Sequence, residues 1–502
     1  MAVSLVLLLT SPLVLSLLAF LLFNILVSKK RSNVSARTVL LLPPSPPSLP
    51  VFGHLRLLGN LPHRSLRSLA ASYGPVMYLR LGRVPTVVAC SAAAAEEAMK
   101  TRDLAFASRP KLFMVDRFYY GTGGIGFAPY GEHWRQARRV CVTHMLNPHR
   151  LLSFRRVRGE EVAALVHRVR RACSIVNLSD NLIVYSNTVI SRATFGDTEN
   201  GIGSDEEGAR LRKVFAEIEE LLGTVPMGEK VPWLRLVDVV TGLERKTRRA
   251  FAEMDGLLER VITNHRQRRG GGDFVDVLLG ADELDTNAIK AIILDMLAAA
   301  TDSTFTLLEW AMAELINHPH EMRKLQEEVR TAVGDAGGVT EDHLHDLRYL
   351  KAVVKETLRL HPPTPLLLPR ETLEDTQLLG YHVPAGTRVI IHAWAIGRDP
   401  ATWGDRAEEF LPQRFLEYTH EMGQDFAFLP FGAGRRGCPA IRFAMPSNEL
   451  ALASLVYHFD WELPGGREPP VDMTELHGLS VRLKTALLLV AKPWSGSCGA
   501  VE

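Results

Sequence analysis

Cysteine is scarce in this chain, and the few residues present do not cluster. Cys90, Cys141, Cys173, Cys438 and Cys498 are five in 502 residues, an odd number with no C-x-x-C pair. That pattern opposes a disulfide framework or a zinc site and points to a reducing compartment for the bulk of the protein. Net charge is nearly absent as well. Lys and Arg number 58 against 56 Asp and Glu, leaving +2, so no global field calls for nucleic acid. Long linkers and repeats are missing too. Gly270 to Gly272 and Gly334 to Gly338 are short loops. Length alone suggests about three domains, but without linkers one large globular unit over 54–502 is expected. Hydrophobic residues at 46% supply its core.

Charge is also absent from Ala2 to Ser28, a stretch rich in Leu, Val and Phe. About 25 helical residues cover the hydrocarbon core of a bilayer with tilt to spare. Lys29, Lys30 and Arg31 follow, which puts the later chain on the cytosolic side. The rival reading is a cleaved signal peptide, whose apolar part is shorter, roughly 7–15 residues, and preceded by charge. A retained anchor with its basic flank over 1–31 is therefore expected. A linker over 32–53 follows, with the run Pro43-Pro44-Ser45-Pro46-Pro47-Ser48-Leu49-Pro50 as a stiff, extended spacer.

Among the cysteines, Cys438 has an unusual setting: Phe431-Gly432-Ala433-Gly434-Arg435-Arg436-Gly437-Cys438-Pro439. A helix reads from Ile441 to Leu455, so the thiol lies near a helix N-terminus that favours negative charge. The glycines let a large planar ligand approach the backbone, and Arg436 is placed to pair with a carboxylate on it. This is the chemistry of a thiolate bound axially to haem iron. The competing reading of any lone cysteine is a small buried hydrophobe.

A second helix is marked by Ile289, Ile292, Ile293, Met296, Leu297 and Ala300 at helical spacing. The pattern runs from about Thr286 to Ile316, and Pro319 ends it. Its middle, Ala298-Ala299-Ala300-Thr301-Asp302-Ser303-Thr304, puts an acid and two hydroxyls into an apolar helix beside small residues. An Ala-rich packing stripe with a solvated Asp is the alternative. Farther on, Glu356 and Arg359 share a helical face among apolar residues, where buried ions need partners. From His133 to Arg158 there are seven arginines and no Asp or Glu. Such a run is usually a solvated face, and it also suits an acidic electron donor.

Taken in order, these segments resemble the cytochrome P450 enzymes over about residues 1–493. The cysteine loop is similar to F-x-x-G-x-R-x-C-x-G: Phe431, Gly434, Arg436 and Cys438 match, and Ala440 replaces the last glycine. The central helix resembles A-G-x-[DE]-T-[ST], with Asp302 and Thr304 matching, Ser303 where threonine is usual and Ala300 for glycine. Glu356 and Arg359 match E-x-x-R. Pro412-Gln413-Arg414-Phe415 resembles P-E-R-F, with Gln413 departing. Trp134 and Arg138 match W-x-x-x-R. The proline run resembles the microsomal hinge, with Ser45 for glycine.

The resemblance implies the mainly helical P450 fold with a small β-rich lobe, behind an N-terminal transmembrane helix. It implies haem b with Cys438 as axial iron ligand. Trp134, Arg138, Arg370 and Arg436 become candidates to hold its propionates, although a surface salt bridge is the alternative for each arginine. Asp302, Ser303 and Thr304 are implied in proton delivery. Molecular oxygen, NADPH-cytochrome P450 reductase, membrane lipid of the endoplasmic reticulum and a small hydrophobic substrate are the implied partners. Leu42 to Pro46, Phe106 to Pro110 and His477 to Ser480 resemble the plant A-type group. The C-terminal half resembles grass enzymes acting on indole-derived benzoxazinoid precursors. The pocket is expected from Phe113 to Phe127, Leu297 to Ser303 and Thr364 to Leu368. Two other functions stay open: a reductase-independent isomerase or dehydratase, and a non-catalytic haem- or ligand-binding protein.

Overall fold

The computed structural model describes residues 41–494, except 122, 173, 197–204, 225, 232–233, 269–271, 335, 418–421 and 423. The expected anchor at 2–28, its basic flank, Cys173 and Cys498 lie outside the described residues. Met1–Leu42 and Pro43–Glu502 are separate units. Within the larger one, the proline run lies against the first strand: Tyr78 N donates to Pro44 O at 2.8 Å, and His54 Nε2 meets Pro46 O at 2.8 Å.

Alternating burial shapes β1 (Val76–Leu81), which pairs antiparallel with β2 (Val84–Ala89). Then come helices α1 (Phe113–Phe118), α2 (Glu132–His144), α3 (Arg155–Arg171), α4 (Leu178–Phe195), α5 (Asp205–Gly223) and α6 (Leu243–Arg268). The central helix α7 (Thr286–Asn317) leads into α8 (Pro319–Val333) and α9 (Arg348–Leu360). Strands β3 (Arg370–Glu371) and β4 (Arg388–Ile391) return to the first hairpin, and α10 (Ile441–His458) follows the cysteine loop. The sheet order is β1-β2-β4-β3, with β4 parallel to β2 and antiparallel to β3. Smaller sheets complete the β-rich part.

Helix α7 starts where the Asp285 side chain caps Ala288 N at 2.7 Å, and ends as Pro319 opens α8. It is apolar and long enough to cross a membrane, yet it is largely buried. Its neighbours are α4, α9 and α10, so its hydropathy is that of a core helix. Helix α10 runs three residues past the expected end at Leu455, with Pro446 inside it. A broad core surrounds α7, and a second one, including Val87, Val389, Ala98 and Phe106, packs under the sheet. The cysteine loop reaches this second core through Ala433.

Candidate active site

The loop carrying Cys438 is held at both ends by backbone. Cys438 N donates to Phe431 O at 2.9 Å, and Gly437 N donates to Gly434 O at 3.0 Å. Gly434 has φ +67°, and a Cβ there would stand 2.2 Å from the carbonyl oxygen of Met99. That glycine is required by the chain beneath it, whatever else it admits. Asp103 Oδ2 accepts from Arg435 N at 3.1 Å, fixing the turn from the same side. Burial pushes the Cys438 thiol up, while the Ala440 N–H and the Arg138 charge pull it back. Cys90 and Cys141 have less relief, and burial takes each to about 12.

Four arginines meet beside this loop. Arg138 Nη2 donates to Gly437 O at 2.7 Å, next to the cysteine. Arg370, buried on β3, donates to Ala433 O at 3.1 Å and lies 3.5 Å from Asp103. Arg436 donates to Ala107 O and Ala128 O, both at 2.7 Å, and stacks on Trp134 at 4.2 Å. The Trp134 N–H is taken by Ile125 O at 3.1 Å. The fourth, Arg109, was quoted in the sequence only as part of Phe106 to Pro110. It donates to Gly126 O at 3.0 Å and Leu368 O at 2.6 Å, so it ties two expected pocket segments together. A charge between Ala107 and Pro110 was the available signal.

Burial and mutual repulsion lower the pKa of Arg109 and bring Arg436 to about 9. Arg436 Nη1 is buried without a partner. A buried cation cluster with an idle donor calls for anions. The two carboxylates of a haem answer that demand, so these residues fit the cofactor implied by the sequence.

On α7, Asp302 is buried and accepts from the Ser480 hydroxyl and N–H, with Arg482 nearby. Burial raises its pKa, and those contacts oppose the rise. The Ser303 hydroxyl bonds back to Ala299 O at 2.6 Å. Thr304 is buried one position on. Two turns earlier the same helix carries a second buried acid, Asp295. Asp295 Oδ2 accepts from Ile125 N at 2.5 Å and Gly126 N at 3.1 Å, binding the loop after α1 to the central helix. Burial lifts its pKa to about 6. Its spacing of seven from Asp302 on an apolar helix was the visible clue. The Tyr120 hydroxyl donates to Asp255 on α6 at 2.7 Å.

The charge scaffold behind the loop is fully assembled. Arg359 donates to both Glu356 oxygens at 2.7 and 2.8 Å, and Arg414 Nε reaches Glu356 Oε1 at 3.1 Å. Arg359 also bonds Gly397 O and Ala407 O, each at 2.6 Å. Gln413 donates to Glu321 on α8 at 2.9 Å. A carboxylate at position 413 would repel Glu321, which gives this departure from P-E-R-F a local reason. Part of the basic run stays on a solvated face, where Arg135, Arg155 and Arg156 are exposed, and part turns inward. Arg135, Arg155, Arg156 and Arg158 pair with Glu132, Asp342, Glu160 and Glu341, and Arg138 bonds inward.

Comparison with known proteins places this geometry. The cytochrome P450 family model matches residues 43–490. Cytochrome P450 71A1 of Persea americana is 46% identical over 460 residues, covering 88% of this chain and 91% of its own length. (+)-Menthofuran synthase of Mentha piperita is 44% identical, covering 95% of this chain and 97% of its own. Norfluorocurarine oxidase of a Strychnos species is 42% identical, covering 96% and 98%. A zebra fish cytochrome P450 solved with abiraterone superposes with a TM-score of 0.75 at 26% identity, covering 87% of this chain and all of that one.

Proposed function

The chain belongs to the cytochrome P450 family, and from that premise we propose that it oxygenates a small hydrophobic, aromatic or indole-derived, plant metabolite with electrons passed from NADPH by a reductase. Its class is P450 monooxygenase and its cofactor is haem. The observation that carries the reading is an acid and two hydroxyls at Asp302, Ser303 and Thr304, in the middle of a buried helix, in a chain that keeps the Cys438 loop. Haem, when bound, supplies the activation of molecular oxygen.

The residues of this chain do the rest. The Cys438 sulfur would hold the haem iron. Arg370, Arg436 and Arg138, with Arg109 and Trp134 beside them, would hold the propionates. Asp302, its pKa raised by burial, keeps a proton more readily than a surface aspartate does. Ser303 releases Ala299 O and passes that proton on through its Oγ, with Thr304 as the adjoining hydroxyl. Phe118, Tyr119 and Phe127, buried within the segment expected to wall the pocket, would keep water from the substrate.

Anchoring in the endoplasmic reticulum membrane through residues 2–28 is part of the same proposal. Leu236 and Val240, 73% and 85% exposed on the short helix Arg235–Val240, would add a second apolar contact with the bilayer. The test adds purified reductase and NADPH to the haem-loaded protein and profiles products across indolic, phenolic and terpenoid substrates. Oxygenated product that requires both is expected. Turnover that proceeds equally without NADPH would establish the reductase-independent reading instead.

A further inference from the structure

One acid near the expected pocket keeps a buried carboxylate oxygen without a hydrogen-bond partner. Glu219 lies on α5, and its Oε1 is buried with no hydrogen-bond partner. An unmet buried acceptor needs a reason. The acids around it are met. Asp295 has the Ile125 and Gly126 N–H groups. Asp302 has both donors of Ser480, and Glu309 has the Ser179 hydroxyl at 2.5 Å and Leu483 N at 3.1 Å. Arg482 is the cation whose charge reaches Glu219, and it acts on Asp302 and Glu309 as well. Three carboxylates share one guanidinium.

The position of Glu219 is fixed rather than free. Gly223, one turn on, is so close to the loop carrying Ser480 that a Cβ would stand 2.9 Å from Gly478 Cα. The charge of Glu219 acts on both Tyr119 and Asp302. These residues belong to the loop after α1 and to the central helix, two of the walls assigned to the substrate. Burial and the Asp302 charge hold the Glu219 carboxyl well above the usual carboxylate range.

We infer that Glu219 is the recognition group for a substrate bearing a basic nitrogen, which it binds as an ammonium–carboxylate pair while the apolar walls take the rest of the molecule. The inference deepens the proposed function and rests on it for the location of the substrate. The pair forms from an ammonium and the carboxylate, or from a free amine that takes the Glu219 proton. Both routes give the same two ions. A charge-assisted hydrogen bond in a dry site favours the amine over a neutral molecule of equal shape by about 10- to 100-fold.

Equilibrium dialysis of the haem-loaded protein tests this with two probes, N,N-dimethyl-2-phenylethylamine and its carbon isostere (3-methylbutyl)benzene. The wild type is expected to prefer the amine by about the margin above. Glu219→Gln should abolish the preference and leave the isostere's affinity unchanged, and Glu219→Asp should keep part of it. Equal binding of the two probes by the wild type overturns the inference. So does a preference that survives Glu219→Gln, or an amine held on the iron, seen as a nitrogen-ligated Soret shift. The wild-type comparison stands even if a variant fails to fold. Binding is read without turnover, so equal probe affinities leave the monooxygenase proposal intact. Absent NADPH-dependent product would strike that proposal and leave the amine preference measured.

Discussion

Cys438 differs from its fellow cysteines in what opposes burial. Burial takes Cys90 and Cys141 to about 12, and at Cys141 the Asp295 charge adds to the rise against the pull of Arg138, whereas at Cys438 the Ala440 N–H and Arg138 both oppose burial. Cys438→Ala should remove the thiolate signature from the reduced carbon-monoxide spectrum, while Cys90→Ser and Cys141→Ser leave it in place. A spectrum that survives Cys438→Ala would refute the ligand assignment. Ser303 is the second residue whose identity matters. Its hydroxyl rests on Ala299 O, so proton delivery needs only rotation about χ1, and a missing methyl eases that turn. Ser303→Ala should lower product per NADPH and divert oxygen to peroxide, by up to about 10²–10⁴-fold where proton transfer limits turnover. Unchanged coupling would remove Ser303 from the relay. Both residues stand out in the sequence through the P450-like segments that carry them, and their roles follow from that resemblance. Arg109, Asp295 and Glu219 were not legible there, because their roles depend on which backbone amides, carbonyls and charges the fold brings to them.

At the scale of elements, the helix spacing of Glu356 and Arg359 already implied a buried pair, and the structure supplies what spacing cannot: the Gly397, Ala407 and Glu409 carbonyls that take the remaining guanidinium donors. Glu356→Ala leaves Arg359 and Arg414 without their anion, at a cost of about 3–5 kcal/mol. Little haem-loaded protein should be recovered. Normal haem content with lost turnover would assign Glu356 to chemistry instead. The extents of α7 and α10 were readable from apolar periodicity. The tie between α9 and α10 was less so, and it has a pH consequence. Burial lifts Glu449 on α10 to about 7, against a partial pull from Lys351 and Lys355 of α9. A carboxyl raised in the fold contributes stability that is complete below its unfolded pKa, about 4.3, and is lost as pH rises through about 7. Glu449→Gln should therefore flatten the fall in Tm between about pH 5 and 8, with a difference on the order of 2–3 kcal/mol between those limits. Parallel Tm–pH curves for the two proteins would show that Glu449 is ionised in the fold throughout.

For the whole molecule, the proposed membrane association raises the question of how a nearly neutral chain would find a bilayer. A net charge of +2 gives little attraction to an acidic surface, and much of the basic run from His133 to Arg158 is paired within the fold. Apolar surface has to supply the affinity. The sequence offers Ala2 to Ser28 for this. Nothing in its periodicity marked the short helix Arg235–Val240, where Leu236 and Val240 stand out at 73% and 85% exposure. Burying a side chain of that size in an apolar phase is worth about 1.5–3 kcal/mol. One such residue is too weak to hold a protein of this mass at a bilayer, but two acting together leave a measurable residue of binding once the anchor is gone. Deleting residues 1–28 should release most of the protein from membranes with its haem spectrum intact. The fraction that still sediments with vesicles should fall further when Leu236→Ser and Val240→Ser are combined in the shortened chain. Complete release by the deletion alone would confine membrane contact to the N-terminal segment. A lost haem spectrum would show that the segment supports the core as well.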